Sequence, residues 1–290
     1  MAVFDAKIAL PGGEPGPWGA PVPIAYDKRD VLLYAVGVGS HDLRFIYEGA
    51  PGFAVFPTFP IRWSGAGAPI DRTLVPLAPG PLMVDAERLI EVLRPMPVEG
   101  RVSVVSRLLA AHPKSKGSAL VEMESHVLDE SGNICVRMIN GVFIRGIQTL
   151  GDIEPFEGAG TSQSVSSTPP DRPADHEMRA TIAVNQAHIY RLSGDYNPLH
   201  IDPAAARFGG FDKPILHGLC TLGTCARLLL EQLCEGDPSR FRRFRVRFSS
   251  PVLPGDELTV RAWKDQPGRV LFDARIGERT VISNAWFEYE

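Results

Sequence analysis

The feature that most limits how this chain can fold is a change of hydrophobic period late in the sequence. From Gly218 to Leu233, Leu219, Leu222, Cys225, Ala226, Leu229 and Leu233 recur near the helical period. Such a segment predicts a mostly buried helix. Beyond it the period becomes two: Phe244, Val246 and Phe248 alternate with Arg243, Arg245 and Arg247, and Pro254-Gly255-Asp256 marks a turn. Strands are expected around Leu258–Trp263, Val270–Ile276 and Val281–Tyr289. A short helix over Asn185–Ser193, stopped by Gly194, precedes the buried one. Together these describe an α+β unit with an antiparallel sheet packed on its helix.

The first half repeats this order in weaker form. Arg29–Gly37 can be laid on Asn185–Ser193 with Tyr34 over Tyr190, and strands are expected at Arg101–Leu109, Ser118–Leu128 and Ile134–Ile144. Between Gly146 and Met178 the periodicity fades, and Thr168-Pro169-Pro170-Asp171-Arg172-Pro173 favours an extended path because proline fixes its own φ and restricts its predecessor. The expected organisation is a first unit over 1–148, a linker over 149–178 and a second unit over 179–290.

Composition excludes several classes of function. The 290 residues are 44% hydrophobic and 22% charged, ordinary for a globular protein. A net charge of -4 and a pI near 6.0 give no attraction to nucleic acid or an anionic membrane, so neither is expected as a partner. The first residues lack a basic, apolar leader, and no run of about 18 apolar residues follows, so a cytoplasmic location is expected. The four cysteines form no C-x-x-C pair and are expected as buried thiols; Cys220 and Cys225 lack metal-ligand partners, and no metal is expected. No glycine-rich dinucleotide loop is present. The alternating Arg243, Arg245 and Arg247 read as the solvated face of a strand, with phosphate binding as the alternative.

The segment Leu192-Ser193-Gly194-Asp195-Tyr196-Asn197-Pro198-Leu199-His200 carries the chemistry. By itself it is ordinary turn punctuation. Yet Pro198 keeps Asn197 out of the helical region, so Asp195 and His200 can converge on one water from a loop. An imidazole titrates near neutrality and a carboxylate can orient it, which makes the two an acid/base pair. Asn197 is placed to fix the water or a substrate carbonyl. In Lys213-Pro214-Ile215-Leu216-His217-Gly218-Leu219-Cys220 a loop opens the buried helix. The free N–H of Gly218 suits a developing oxyanion, and a residue without a side chain lets substrate approach. Tight packing alone is the other reading of Gly218, and His217 reads as a buried core or capping histidine.

The run from Tyr190 to Pro203, followed by Gly210 to Thr221, resembles the hydratase 2 signature of MaoC-like dehydratases and is similar to the (R)-specific hydratase region of multifunctional enzymes. The similarity continues through Val246-Arg247-Phe248, Pro251-Val252, Pro254-Gly255 and Val281–Ala285, and reaches Arg29–Gly39, Leu43–Gly49 and Phe56–Phe59. The resemblance implies a double hot-dog fold, two tandem units in each of which an antiparallel sheet wraps a central helix. It implies hydration of a 2-enoyl-CoA thioester, with Asp195, His200, Asn197 and Gly218 as the catalytic set. Lys116, Tyr196, Pro198, Leu199, His217 and Phe248 are then placed along the substrate path. Coenzyme A is part of the substrate and no separate cofactor is expected; a homodimer is implied. The first unit, lacking an Asn-Pro-x-x-His run, is implied to accommodate the acyl tail. Asp85-Ala86 stands where the family carries His-Gly, which puts contacts there in question. An acyl-CoA thioesterase and a non-catalytic acyl-CoA binding module are the alternatives.

Overall fold

A computed structural model describes residues 15–68, 83–114, 118–144 and 167–290. The first half runs β1 (Val22–Tyr26), α1 (Lys28–Gly37), α2 (Leu43–Ile46), a 3-10 helix (Phe59–Trp63), β2 (Met83–Val92), β3 (Gly100–Lys114), β4 (Ser118–Leu128) and β5 (Ile134–Ile144). The second runs β6 (His176–Thr181), α3 (Gln186–Tyr190), α4 (Pro203–Phe208), α5 (Gly218–Cys234), β7 (Phe241–Phe248), β8 (Glu257–Gln266), β9 (Arg269–Ile276) and β10 (Arg279–Tyr289). These strands form one antiparallel sheet in the order β1-β3-β4-β5-β2-β7-β10-β9-β8-β6. Each half contributes five, and the order of one mirrors the other across the β2·β7 seam. This is the expected α+β double hot-dog.

The helical layers differ. α5 has the predicted length, and most of its residues are buried. It crosses the end of α1 so closely that a Cβ on Gly223 would lie 2.3 Å from Val38 Cγ1. Short pieces fill the described first half instead: α1, capped by reciprocal Asp27 and Asp30 hydrogen bonds, and the 3-10 turn after Thr58. Tyr34 and Tyr190, the two positions matched between the halves, meet at 5.9 Å between ring centroids. All four cysteines are buried and free, as expected.

Two expectations change. Residues 176–178, placed in the linker, open strand β6; ahead of them the Arg172 carbonyl accepts the Trp263 indole N–H at 2.8 Å, tying the strap to β8. The arginine alternation is a solvated face only in part: Arg247 is exposed and Arg243 half-buried, but Arg245 is not solvated and all three are paired. Because β7 is central rather than an edge, β2 sets Glu87 opposite Arg247 and Glu91 opposite Arg243. Arg245, only 5% exposed, pairs with Glu87 at 3.0 Å, Arg247 joins the same carboxylate at 2.7 Å, and Arg243 reaches Glu288 at 3.2 Å.

Candidate active site

The candidate catalytic loop is shaped by backbone chemistry that its residue types dictate. Gly194 takes φ 126°, a conformation other residues rarely adopt, and turns the chain out of the 3-10 turn Arg191–Ser193 into Asp195. Asp195 then accepts the Asn197 N–H at 3.2 Å, and Asn197 accepts the Leu199 N–H at 3.0 Å, two successive Asx turns. The second caps a 3-10 turn, Pro198–His200, that proline can start because it has no N–H to lose there. His200 is thereby carried inward to 7% exposure, while Asp195 stays half-buried.

His200 Nδ1 lies 2.9 Å from the Ile215 carbonyl. A carbonyl only accepts, so Nδ1 carries the proton and Nε2 is left with its lone pair. Burial lowers the His200 pKa, with the Ile215 hydrogen bond and Asp195 opposing, which favours the neutral base. His217 stacks on His200 with ring centroids 3.7 Å apart and a 28° interplanar angle, and Tyr190 meets it at a tilt, 5.0 Å between centroids. By the same argument its Nε2–H donates to the Asp195 backbone carbonyl at 3.2 Å. Burial first, then the charge of His200, brings the His217 pKa down to about 4. Ligand atoms of Asp195, His200 and His217 lie within 4.8 Å of one another. These residue types also bind metals, but the lone pairs of stacked imidazoles lie in nearly parallel planes and converge on one ion only if a ring turns.

Gly218 opens α5, and among the described residues its N–H has no hydrogen-bond partner, as helix geometry requires of a first-turn amide. A Cβ there would lie 3.3 Å from Phe248 Cε1, so both readings of this glycine have support: a free amide and a tight packing contact.

The other predicted residues divide. Asn197 commits one lone pair of its side-chain oxygen to the Leu199 N–H, which leaves its amide nitrogen to donate to a carbonyl and either end to hold a water. Phe248 lies against Gly218. His217, read as a core or capping histidine and assigned to substrate contact, is 1% exposed and caps α5 without a side-chain bond; its contacts are to Asp195, His200 and Tyr190. Tyr196 is exposed beneath the Arg191 guanidinium at 4.9 Å, Pro198 is exposed, and Leu199 packs beside Gly209. Lys116 lies outside the described residues.

Two first-half groups near the loop were not singled out as site residues. Asp85, on β2, has its pKa raised by burial and by the charge of Asp195, against a bidentate pair with Arg88 at 2.9 Å. Arg62 approaches Gly194, where a Cβ would meet its Nη2 at 3.9 Å. Only the Asp85-Ala86 departure signalled either; a residue of the other half reaches the loop through sheet pairing, which has no local signature.

Two family models match the chain: a MaoC like domain over residues 165–286 and an MFE-2 hydratase 2 N-terminal domain over residues 24–146. A protein named probable enoyl-CoA hydratase 2 from Dictyostelium discoideum is 36% identical over 261 residues, covering 87% of each chain. This chain belongs to the MaoC-like hydratase 2 family. Mouse peroxisomal multifunctional enzyme type 2 is 35% identical over 91% of this chain, which spans 36% of that longer protein. The crystal structure of a MaoC-like dehydratase from Phytophthora capsici superposes with a TM-score of 0.82 at 36% identity, covering 95% of this chain and 96% of that one. Within the family frame, the Asp195–His200 loop and the α5 N-terminus fall in the segment matched by the MaoC like domain.

Proposed function

We propose that this chain is a hydro-lyase that adds water across the double bond of a trans-2-enoyl-CoA, giving a 3-hydroxyacyl-CoA, and catalyses the reverse dehydration. One observation carries the reading: a neutral, tautomer-fixed His200 beside the Asp195 carboxylate, next to the free Gly218 amide. The water oxygen bonds to C3 while the pair takes one of its protons, and electron density moves onto the thioester oxygen, facing the Gly218 N–H. Return of that proton to C2 re-forms the thioester carbonyl. The step balances with water alone, so coenzyme A enters only as part of the substrate. The (3R) configuration follows from the family resemblance.

The same reading includes a homodimer, cytoplasmic location and room for the acyl tail in the first half. No helix among the described residues is long and apolar enough to cross a membrane. Several relatives are named peroxisomal, so fractionation decides the compartment.

Crotonyl-CoA tests the reaction. Hydration bleaches the enoyl absorbance without freeing a thiol, and chiral analysis returns the (3R) product. Thiol release at the rate of bleaching would instead indicate a thioesterase, and binding without either change an inert acyl-CoA module.

A further inference from the structure

The mirror order of the sheet gives the candidate active site a counterpart. That site gathers the start of α5 (His217, Gly218), the end of β7 (Phe248) and, from the other half, the start of β2 (Asp85). Exchanging the halves places its counterpart at the first-half 3-10 turn, the end of β2 and the start of β7. A cavity of about 540 Å³ lies there, lined by Phe56, Pro60, Val92, Arg94, Met96 and Arg242 among others. The six residues from Arg242 to Phe248 put it about 20 Å from the Gly218–Phe248 contact at the rise of a strand. Packed rings stand between: Phe56 meets Tyr34 at 6.3 Å, Tyr34 meets Tyr190 at 5.9 Å, and Tyr190 meets His217 at 5.0 Å.

The counterpart keeps a cavity without acid/base chemistry. Asp42 caps α2 and is clamped by Arg44, and His41 is exposed. Its walls are chiefly apolar, and its two cations differ. Arg242 is shared with Glu290, whereas the exposed Arg94 makes no ion pair among the described residues. Arg94 lies within reach of the Asp129 charge, but that carboxylate is already held by Ser131 and Asn133, so an apolar chamber with an exposed guanidinium outside any ion pair among the described residues fits a chain that ends in an anion.

We propose that this cavity is a second, non-catalytic site for a fatty-acyl chain with an anionic head, held by Arg94 and separate from the chain undergoing hydration. The choice of an acyl ligand rests on the hydratase reading; the existence of the site does not. Two sources share this chemistry, a free fatty acid and an acyl-CoA.

Calorimetric titration of the full-length protein with dodecanoate, and separately with dodecanoyl-CoA, tests it, with crotonyl-CoA saturating the proposed active site. One equivalent of dodecanoate is expected to bind with affinity unchanged within about twofold by crotonyl-CoA; Arg94→Glu weakens it at least about tenfold, and Met96→Trp, which fills the cavity, removes it. Both variants keep crotonyl-CoA hydration within about twofold, and Arg94, being exposed, decides the matter if the Met96 variant folds poorly. Binding of only dodecanoyl-CoA with the same Arg94 dependence would name the thioester as the source. Binding of neither probe, displacement by crotonyl-CoA, or indifference to Arg94→Glu would overturn the proposal. Because the readout is heat of binding, these results stand apart from any failure of crotonyl-CoA to hydrate.

Discussion

His200 and His217 stack ring on ring, 3.7 Å between centroids, and each donates its one N–H to a backbone carbonyl, Ile215 for the first and Asp195 for the second. The carboxylate-bearing residue and the base are therefore held by one unit. Replacing His217 with Phe keeps a ring in the stack but leaves the Asp195 carbonyl without its donor. The expected result is a fall in kcat of about 10- to 100-fold, the scale on which small misplacements act, with KM within about threefold. His217→Gln, which restores an N–H, recovers part of the loss. A KM-only effect in the Phe variant would point to substrate contact instead.

The pH dependence follows from the same pair. Burial lowers the His200 pKa, so its base form persists below the usual histidine range, and hydration rates should hold to pH values under about 6.5 before falling with acid. Stability moves in the same sense. Both histidines have folded pKa values below the unfolded one, so the unfolded chain binds more protons, and stability present above about pH 6.5 is lost as pH falls, for His217 down to about 4. Urea melts between pH 7.5 and 4 check the stability sign, and a kcat profile the rate.

Glu87 holds Arg245 and Arg247 across the seam that joins the halves. Glu87→Ala leaves the buried Arg245 charge uncompensated and should cost about 3–5 kcal/mol, the usual penalty for breaking a buried pair. Replacing Glu87 and Arg245 together with Leu should cost much less. Equilibrium denaturation compares the two.

Gly218→Ala sets two effects against each other. The methyl would crowd Phe248 at 3.3 Å, a strain of about 1–3 kcal/mol at most, while alanine favours the helix by up to about 1 kcal/mol. Net stability should fall by no more than about 2 kcal/mol, since Gly218 is the first helical residue and gains less than an interior one. Hydration should nonetheless fall about tenfold or more, because the methyl stands beside the amide that faces the oxyanion. A folded variant with full activity would leave Gly218 only its packing role.

The sequence carried local features best. α5 showed its own period, and the Gly194-Asp195-x-Asn197-Pro198 punctuation encoded two Asx turns and a proline-started turn that bring His200 inward. Pairings over long separations were not legible. Alternating Arg243, Arg245 and Arg247 look identical whether water or a neighbouring strand meets them, and only the β2·β7 register shows that it is Glu87. The buried, capping place of His217 was legible inside an apolar loop that opens a helix, but its bond to a carbonyl 22 residues away was not.

The central claim is that Asp195 and His200 act on one water as a unit. Crotonyl-CoA hydration by Asp195→Asn, His200→Gln and the double variant, each verified as folded, measures this directly. Acting as a unit, each single change should lower kcat nearly as far as both together, as cooperating catalytic groups do. Independent, multiplying losses, or substantial hydration by either single variant, would contradict it.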